Sequence, residues 1–145
     1  MSSLDELLFD KDLAEVWQDA EAHRWTLERA DTLAVDVTIS PQRAPNELYL
    51  ARLRWTEYPG RLPASVVFLH PETRAAGAKS SWPTIAGVRP PNDICACWTA
   101  EGYIAHQEWL GDSNMTWDTG DNALLTQLRF LQHQMDFTYE GRTND

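Results

Sequence analysis

The chain has 145 residues, with 12 Lys and Arg against 22 Asp and Glu, and a formal net charge of −10. That length favours one domain over residues 1–145, and the composition, 43% hydrophobic and 23% charged, is ordinary for a globular protein. The negative charge argues against nucleic acid and anionic membranes as partners, because both carry negative charge themselves. No apolar run approaches the about 20 residues of a membrane span, and the acidic start lacks the order of a signal peptide. We therefore expect a cytoplasmic protein.

The first predicted element is a helix from residue 3 to about residue 24. Ser3 is a suitable N-cap, and a glutamate stands three residues later, as in a capping box. Leu13, Trp17 and Ala20 follow at intervals of four and three, which predicts that they share the buried face.

Three strands are predicted next, over residues 33–39, 47–55 and 64–70. The first alternates apolar and polar residues, the period of a half-buried strand. Short segments rich in proline and glycine separate the three strands, so an antiparallel meander is the simplest pairing.

Residues 71–92 predict a long irregular loop, since they contain six prolines and glycines and no apolar period. Loops of this length are uncommon inside a compact domain and are usually functional. A short extended piece is predicted over residues 93–98, and residues 99–120 read as loop again.

The last predicted element is a helix over residues 121–139, with Asp121 or Asn122 as its cap. Its core-facing stripe, spaced four, three and four, consists of Leu124, Leu128, Leu131 and Met135. The order of elements indicates an α+β fold with helices against an antiparallel sheet.

Both cysteines of the chain follow the long loop, as Cys95-Ala-Cys97. On an extended strand, residues two apart face the same side, so both thiols would enter one space. A thiolate is a nucleophile, and His106 is a candidate base eleven residues after Cys95. The alternatives are an inert buried cysteine and a histidine that only packs or lies on the surface.

A metal site is a further alternative for this segment. Cys95 and Cys97 with His106 and His70 would give the two sulfurs and two nitrogens that zinc accepts, but the spacing differs from common zinc motifs. Thioredoxin-like redox chemistry requires Cys-x-x-Cys, which is absent from the sequence. No Gly-rich phosphate loop is present, so a nucleotide site is not supported, and we expect no cofactor. No serine lies in a Gly-x-Ser-x-Gly elbow either.

Three stretches, in chain order, resemble segments of the ubiquitin-conjugating enzyme fold, and especially of its divergent bacterial members. They are "EYPGRLPASVVFLHP" (57–71), "DICAC" (93–97) and "HQEWLGDSNMTWDTGDNALLTQLRFLQ" (106–132). The resemblance implies an N-terminal helix, a four-stranded antiparallel meander, a long active-site loop and a C-terminal helix. It also implies a further strand within residues 26–41.

The resemblance places Cys95 at the position of the nucleophile that carries a protein's C-terminal carboxyl as a thioester. His106 matches the histidine that bacterial members place after the cysteine, and it would take the amine's proton or polarise the carbonyl. Asp93 would orient the attacking amine or lower its pKa. Cys97 has no counterpart and is either a second acyl acceptor or a small core residue. The family's His-Pro-Asn tripeptide is missing, and Asn92 lies closer to the cysteine than the family's asparagine.

The implied partners are a protein donor with a C-terminal carboxyl and a protein acceptor lysine. Bacterial relatives of this kind occur in anti-phage operons, where they attach the C-terminus of a cGAS-like cyclic-oligonucleotide synthase to a target. The resemblance makes that role an expectation here. The alternative function is a binding module that keeps the fold without the chemistry, or a small metal-binding domain that uses Cys95 and Cys97.

Overall fold

The computed structural model describes residues 3–144 and confirms the α+β class. The helices and strands are α1 (Leu4–Val16), β1 (Thr26–Asp31), β2 (Ala34–Ile39), β3 (Tyr49–Arg54), β4 (Ser65–Leu69), β5 (Val88–Arg89), β6 (Asp93–Ile94), α2 (Ala100–Ala105) and α3 (Ala123–Phe137). Strands β1 to β4 form one antiparallel sheet in chain order, and β5 and β6 form a separate hairpin. Within residues 3–144, none of the helices is long and apolar enough to cross a membrane.

The sheet contains one strand that apolar alternation does not reveal. Strand β1 pairs with β2 from Thr26↔Thr38 to Asp31↔Ala34 and lies at the edge of the sheet. All of its residues except Leu27 are exposed, so its sequence carries almost no buried face. The strand implied by the resemblance within residues 26–41 is therefore present as β1.

One face of the sheet packs against α1 and α3 to form the core. The strands contribute fully buried side chains at Val35, Val37, Ala51, Leu53, Val66 and Phe68. The predicted stripe of α3 is confirmed, because Leu124, Leu128, Leu131 and Met135 all have 0% exposure. Each such burial contributes roughly 1.5–3 kcal/mol relative to an exposed side chain, so α3 is held mainly by this stripe. The helix is capped by Asn122, whose side chain accepts from Leu125 N at 2.9 Å.

The prediction for α1 was right about its start and wrong about its end and its buried face. Ser3 Oγ accepts from Glu6 N at 3.2 Å, which confirms the N-cap. The helix ends at Val16, and Trp17, assigned to the core, is 50% exposed. The buried face carries Phe9, Asp12 and Val16, and the polar residue in its middle hides the period.

Asp12 is buried because it has partners inside the core. Its carboxylate accepts from the Tyr58 hydroxyl, and that hydroxyl also accepts from Leu124 N at 3.0 Å. Burial, and then the hydrogen bond to Asp12, raise the pKa of Tyr58. This link joins α1, the turn after β3 and α3 beneath the sheet.

The loop predicted over residues 99–120 is also partly helical. It contains α2 at Ala100–Ala105 and two short 3-10 segments, Gln107–Gly111 and Ser113–Met115. These segments are too short for an apolar period, and α2 has a glycine, Gly102, in its middle.

Candidate active site around the cysteine loop

The segment before the first cysteine is a tight hairpin made of β5 and β6. Its register pairs Val88 with Ile94 and Arg89 with Asp93. Asn92 N donates to Arg89 O at 2.8 Å across a turn that contains the cis Pro90–Pro91 bond, as in a type VI turn. The pairing extends one step further, because Cys95 N donates to the carbonyl of Gly87 at 2.9 Å.

Strand alternation divides the side chains of this hairpin between two faces. Ile94, at 0% exposure, enters the core, and Val88 packs against the core beside it. Arg89, Asp93 and the half-buried Cys95 belong to the opposite, outer face. The position opposite Cys95 is Gly87, so that neighbour adds no side chain over the thiol.

The outer face of the hairpin carries a fixed ion pair. Arg89 Nε lies 2.6 Å from Asp93 Oδ1, and Arg89 Nη2 lies 2.8 Å from Asp93 Oδ2. The hydrogen bond that Arg89 donates to Asp93 is the main cause that raises the pKa of Arg89; the charge of Asp93 adds to it, and that of Cys95 adds least. The guanidinium therefore lies on the same hairpin face as the thiol.

Two glycines fix the backbone of the first cysteine. Gly87 has φ +82°, and a Cβ built on it would lie 2.7 Å from Cys95 O. A Cβ built on Gly102 of α2 would lie only 2.0 Å from Ala96 O. The backbone of residues 95–96 therefore passes between two positions that tolerate no side chain.

Thr99 ties the cysteine loop, residues 95–99, to its two ends. Its hydroxyl donates to Ile94 O at 2.6 Å, before the loop, and accepts from Gly102 N at 3.1 Å, after it. Thr99 is the N-cap of α2 and is fully buried. One side chain thus closes the loop and starts the helix that packs on it.

A glutamine of α3 anchors the same loop from below. Gln127 Nε2 donates to Trp98 O at 2.7 Å, and Gln127 Oε1 accepts from Ala64 N at 3.0 Å. Ala64 O in turn accepts from Ala100 N at 2.9 Å. The loop is therefore bound to the start of β4 and to α3 through buried hydrogen bonds.

The second cysteine has different surroundings. Strand β6 ends at Ile94 and the chain turns, with Thr99 N donating to Ala96 O at 3.2 Å, so the extended run predicted over residues 93–98 is shorter than expected. Cys97 is exposed and lines an open groove of about 420 Å³ that does not include Cys95. The apolar walls of this groove are formed by Tyr103, Met115, Trp117 and Phe130.

The predicted histidines engage partners of their own. His106 follows α2, stacks on Trp109 with ring centroids 4.4 Å apart, and places Nδ1 3.3 Å from Glu108 Oε1. Within residues 3–144, no hydrogen bond joins His106 to either cysteine. His70 Nδ1 accepts from Glu72 N at 3.1 Å in the turn after β4.

The four-ligand zinc arrangement is not formed. Over the described range, residues 3–144, no group of three or more His, Cys, Asp or Glu side chains is placed to hold a metal ion. The outer face of the hairpin has instead the Cys95 thiol together with a paired guanidinium and carboxylate, those of Arg89 and Asp93.

Sequence reasoning missed Arg89, Gly87, Gly102, Thr99 and Gln127. A signal for the hairpin was present, because Pro-Pro-Asn between Val88 and Ile94 is a typical turn sequence. The sequence gives no such signal for the glycine contacts, since they depend on which backbone segment packs against each glycine in the folded protein.

Comparison with known proteins adds no family to this description: no family model matches the chain, and no curated protein matches it. The class that fold and site define is an α+β domain with a cysteine-bearing loop held against its sheet and C-terminal helix.

Proposed function

We propose that this protein is a thioester-forming conjugation enzyme of the ubiquitin-conjugating type, with Cys95 as the acyl carrier. The observation that carries the proposal is the placement of Cys95: half-buried, in a loop fixed on both sides, and on the same outer hairpin face as the Arg89 guanidinium. The four-stranded meander between an N-terminal and a C-terminal helix supports it, as do the sequence motifs.

The proposed reaction has two balanced steps. In the first, the Cys95 thiolate attacks a donor's activated C-terminal thioester, a new S–C bond forms, and the donor's former thiol leaves as thiolate. In the second, an acceptor lysine amine attacks that carbonyl, the C–N bond forms, the C–S bond breaks, and the amine loses a proton. The products are an amide and free Cys95.

The partners are therefore a protein donor with a C-terminal carboxyl and a protein acceptor lysine. The donor proposed from the sequence resemblance is a cGAS-like synthase of a bacterial anti-phage system. His106 is the proposed proton acceptor, which requires that a bound substrate draw it away from Glu108. Asp93 already binds Arg89, so its part in the reaction is through that arginine.

A peptide thioester tests the first step without a biological donor. The probe is a peptide ending in a glycine benzyl thioester, whose leaving thiol is uncharged. We expect an adduct on Cys95, found by mass spectrometry of the intact protein and its peptides, and cleaved by added thiol. The C97S variant keeps the adduct, and the C95S variant loses the thiol-cleavable form.

The matched pair of cysteine variants makes the test decisive. Acylation of Cys97 in place of Cys95 contradicts the proposal, because the adduct would then arise from exposure alone. Acylation of Cys95 no faster than that of a free cysteine peptide contradicts it too, and favours a binding module that keeps the fold without the chemistry.

A further inference from the structure

We infer that Arg89 binds the negative charge that develops on the acyl oxygen at Cys95, and that Asp93 is the positioning residue that holds Arg89. The inference rests on the proposed function, and it assigns the oxyanion-stabilising group that the missing His-Pro-Asn tripeptide leaves open. Arg89 belongs to none of the three sequence segments that suggested the family.

The hairpin register brings Arg89 to the cysteine. Arg89 pairs directly with Asp93, so Cys95, two residues further along the second strand, is its diagonal neighbour on the same face. Diagonal neighbours have backbones about 7–8 Å apart, within reach of a long side chain. The residue opposite Cys95 is Gly87, so that position adds no side chain between Arg89 and the thiol.

The guanidinium still has donors to offer. Asp93 occupies Nε and Nη2, whereas Nη1 makes no hydrogen bond to any of residues 3–144. A guanidinium fixed through one edge and open at another is suited to hold a second anion. Its side chain is 52% exposed, so a substrate's carbonyl oxygen can reach it.

Three backbone donors near the thiol, the amides of Cys95, Ala96 and Asn92, are already engaged. Cys95 N donates to Gly87 O at 2.9 Å, and Ala96 N points to Thr99 Oγ1 at 3.4 Å. Asn92 N donates to Arg89 O inside the turn. An oxyanion hole made of these amides would require the hairpin to open, whereas Arg89 requires no rearrangement of the backbone.

The role follows from the electron count of the transfer step. When the amine attacks the thioester carbon, the C=O π pair moves onto oxygen and gives an oxyanion beside Arg89. The pair returns when the C–S bond breaks and Cys95 leaves as thiolate. A cation already in place stabilises that oxyanion more than the neutral carbonyl before it, which accelerates both acylation and transfer.

A donor-free experiment tests whether the guanidinium acts at the thiol. In a C97S background, Cys95 is alkylated with anionic iodoacetate and with neutral iodoacetamide, and the ratio of the two rates is measured. The ratio cancels changes in thiol exposure. We expect R89Q to lower it about three- to fivefold, the factor for two charges roughly 5 Å apart in water at low salt.

The control variants distinguish an effect of the charge at residue 89 from an effect of the protein's overall charge. R129Q removes an equally exposed arginine, in the middle of α3, from its ion pairs with Asp19 and Glu21, and is expected to leave the ratio unchanged. R89K keeps the charge and should keep most of the ratio. D93N removes the neighbouring anion and should raise the ratio, since the guanidinium is then uncompensated.

The peptide thioester assay tests the catalytic role separately. R89Q should slow acylation of Cys95 at least tenfold, and D93N should slow it too despite its higher iodoacetate ratio, because the guanidinium is then no longer held in place. An R89Q protein with the wild-type alkylation ratio or the wild-type acylation rate overturns the role of Arg89. A wild-type protein that takes up no peptide overturns the proposed function, so the two failures are distinguishable.

Discussion

Cys95 and Cys97 are two residues apart in the sequence and lie in different chemical surroundings. Cys95 ends a hairpin face that carries Arg89 and Asp93, whereas Cys97 lines an apolar groove next to Tyr103. Electrostatics shows the same division. The hydrogen bond to Asp93, then the charge of Asp93 and least of all that of Cys95, raise the pKa of Arg89, whereas burial, and then the charge of Cys97, raise the pKa of Tyr103.

The difference between the cysteines comes from the turn that follows β6. On a continued strand the two thiols would share one side, but the chain is turned by Thr99 and stopped against α2. The structure therefore gives the charged face to one cysteine and the apolar groove to the other. Variants that move this turn should abolish the distinction, and variants elsewhere should leave it intact.

The largest loss of stability is expected from Gly102→Ala. The added Cβ would lie 2.0 Å from Ala96 O and 2.7 Å from Ala96 N, and both are backbone atoms that cannot rotate away. We expect a loss of about 3 kcal/mol or more in urea unfolding, against which the better helix propensity of alanine returns at most about 1 kcal/mol. Alkylation rates of the two cysteines should converge.

Gly111→Ala is the matched control for that variant. A Cβ on Gly111 meets no atom within 4 Å, and its φ is not in the left-handed region. Its stability should stay within about 0.5 kcal/mol of the wild type. If Gly102→Ala also left the free energy of unfolding unchanged, the result would contradict the close packing of α2 on the cysteine loop.

Gln127→Met is expected to have the next largest effect. The change keeps the length of the side chain but leaves Ala64 N and Trp98 O buried without their partner. The cost should be about 2–3 kcal/mol in urea unfolding. Because Trp98 directly follows Cys97, the alkylation rate of Cys97 should rise more than that of Cys95.

Gln134→Met on the same helix is the control, because the Gln134 side chain makes no hydrogen bond within residues 3–144. It should leave stability and both alkylation rates near those of the wild type. An equal loss in the two variants would mean that the helix, and not the anchoring of the loop, is responsible.

The sequence predicted the elements whose buried residues follow a simple period. Leu124, Leu128 and the rest of the α3 stripe are apolar without interruption, so period and burial coincide. Strand β1 is exposed except at Leu27, and α1 buries Asp12 between Phe9 and Val16. Both structures depend on a partner distant in the sequence: β1 pairs with an adjacent strand, and Asp12 binds the Tyr58 hydroxyl. The local sequence pattern does not show these partners.

The site was predictable to a smaller extent. The loop that carries Cys95 was identified by its prolines, glycines and motif order. The separation of the two thiols was not, because it depends on where Thr99 turns the chain. Arg89 became visible only through its register with Asp93, a pairing that a Pro-Pro turn allows but does not specify.

A change at the far end of α3 should lower stability and leave the cysteines alone. Burial would raise the pKa of Asp136, but hydrogen bonds from Arg24, Gln132 and Gln42 N outweigh it and hold that pKa below its ordinary value. A carboxylate whose pKa is lower in the folded than in the unfolded state stabilises the protein at pH values above the unfolded pKa of about 3.9. This stabilisation is lost as the pH falls through the folded pKa. Asp136→Asn should therefore cost about 2 kcal/mol at pH 7.

The pH dependence identifies the carboxylate as the cause. The difference in unfolding free energy between wild type and Asp136→Asn should be constant above about pH 5 and shrink below about pH 4. Under native conditions at pH 7 the alkylation rates of both cysteines should be unchanged. A difference that persists undiminished at pH 2 would point to altered packing of α3.

The smallest effect is expected from Phe130→Ala, and it bears most directly on the groove. Phe130 is 40% exposed and contacts Trp117 with ring centroids 5.2 Å apart. Loss of that aromatic contact should cost about 1 kcal/mol. Because one wall of the groove is removed, Cys97 should be alkylated about two to three times faster, as expected for a site limited by access.

Cys95 is the internal control for the Phe130→Ala variant. Cys95 does not line the groove, so its alkylation and its acylation by the peptide thioester should not change. Phe137→Ala, which removes a 73% exposed ring from the same helix, should affect neither cysteine. If Phe130→Ala accelerated both cysteines equally, the two thiols would share one space after all, and the charged hairpin face could not be what distinguishes Cys95.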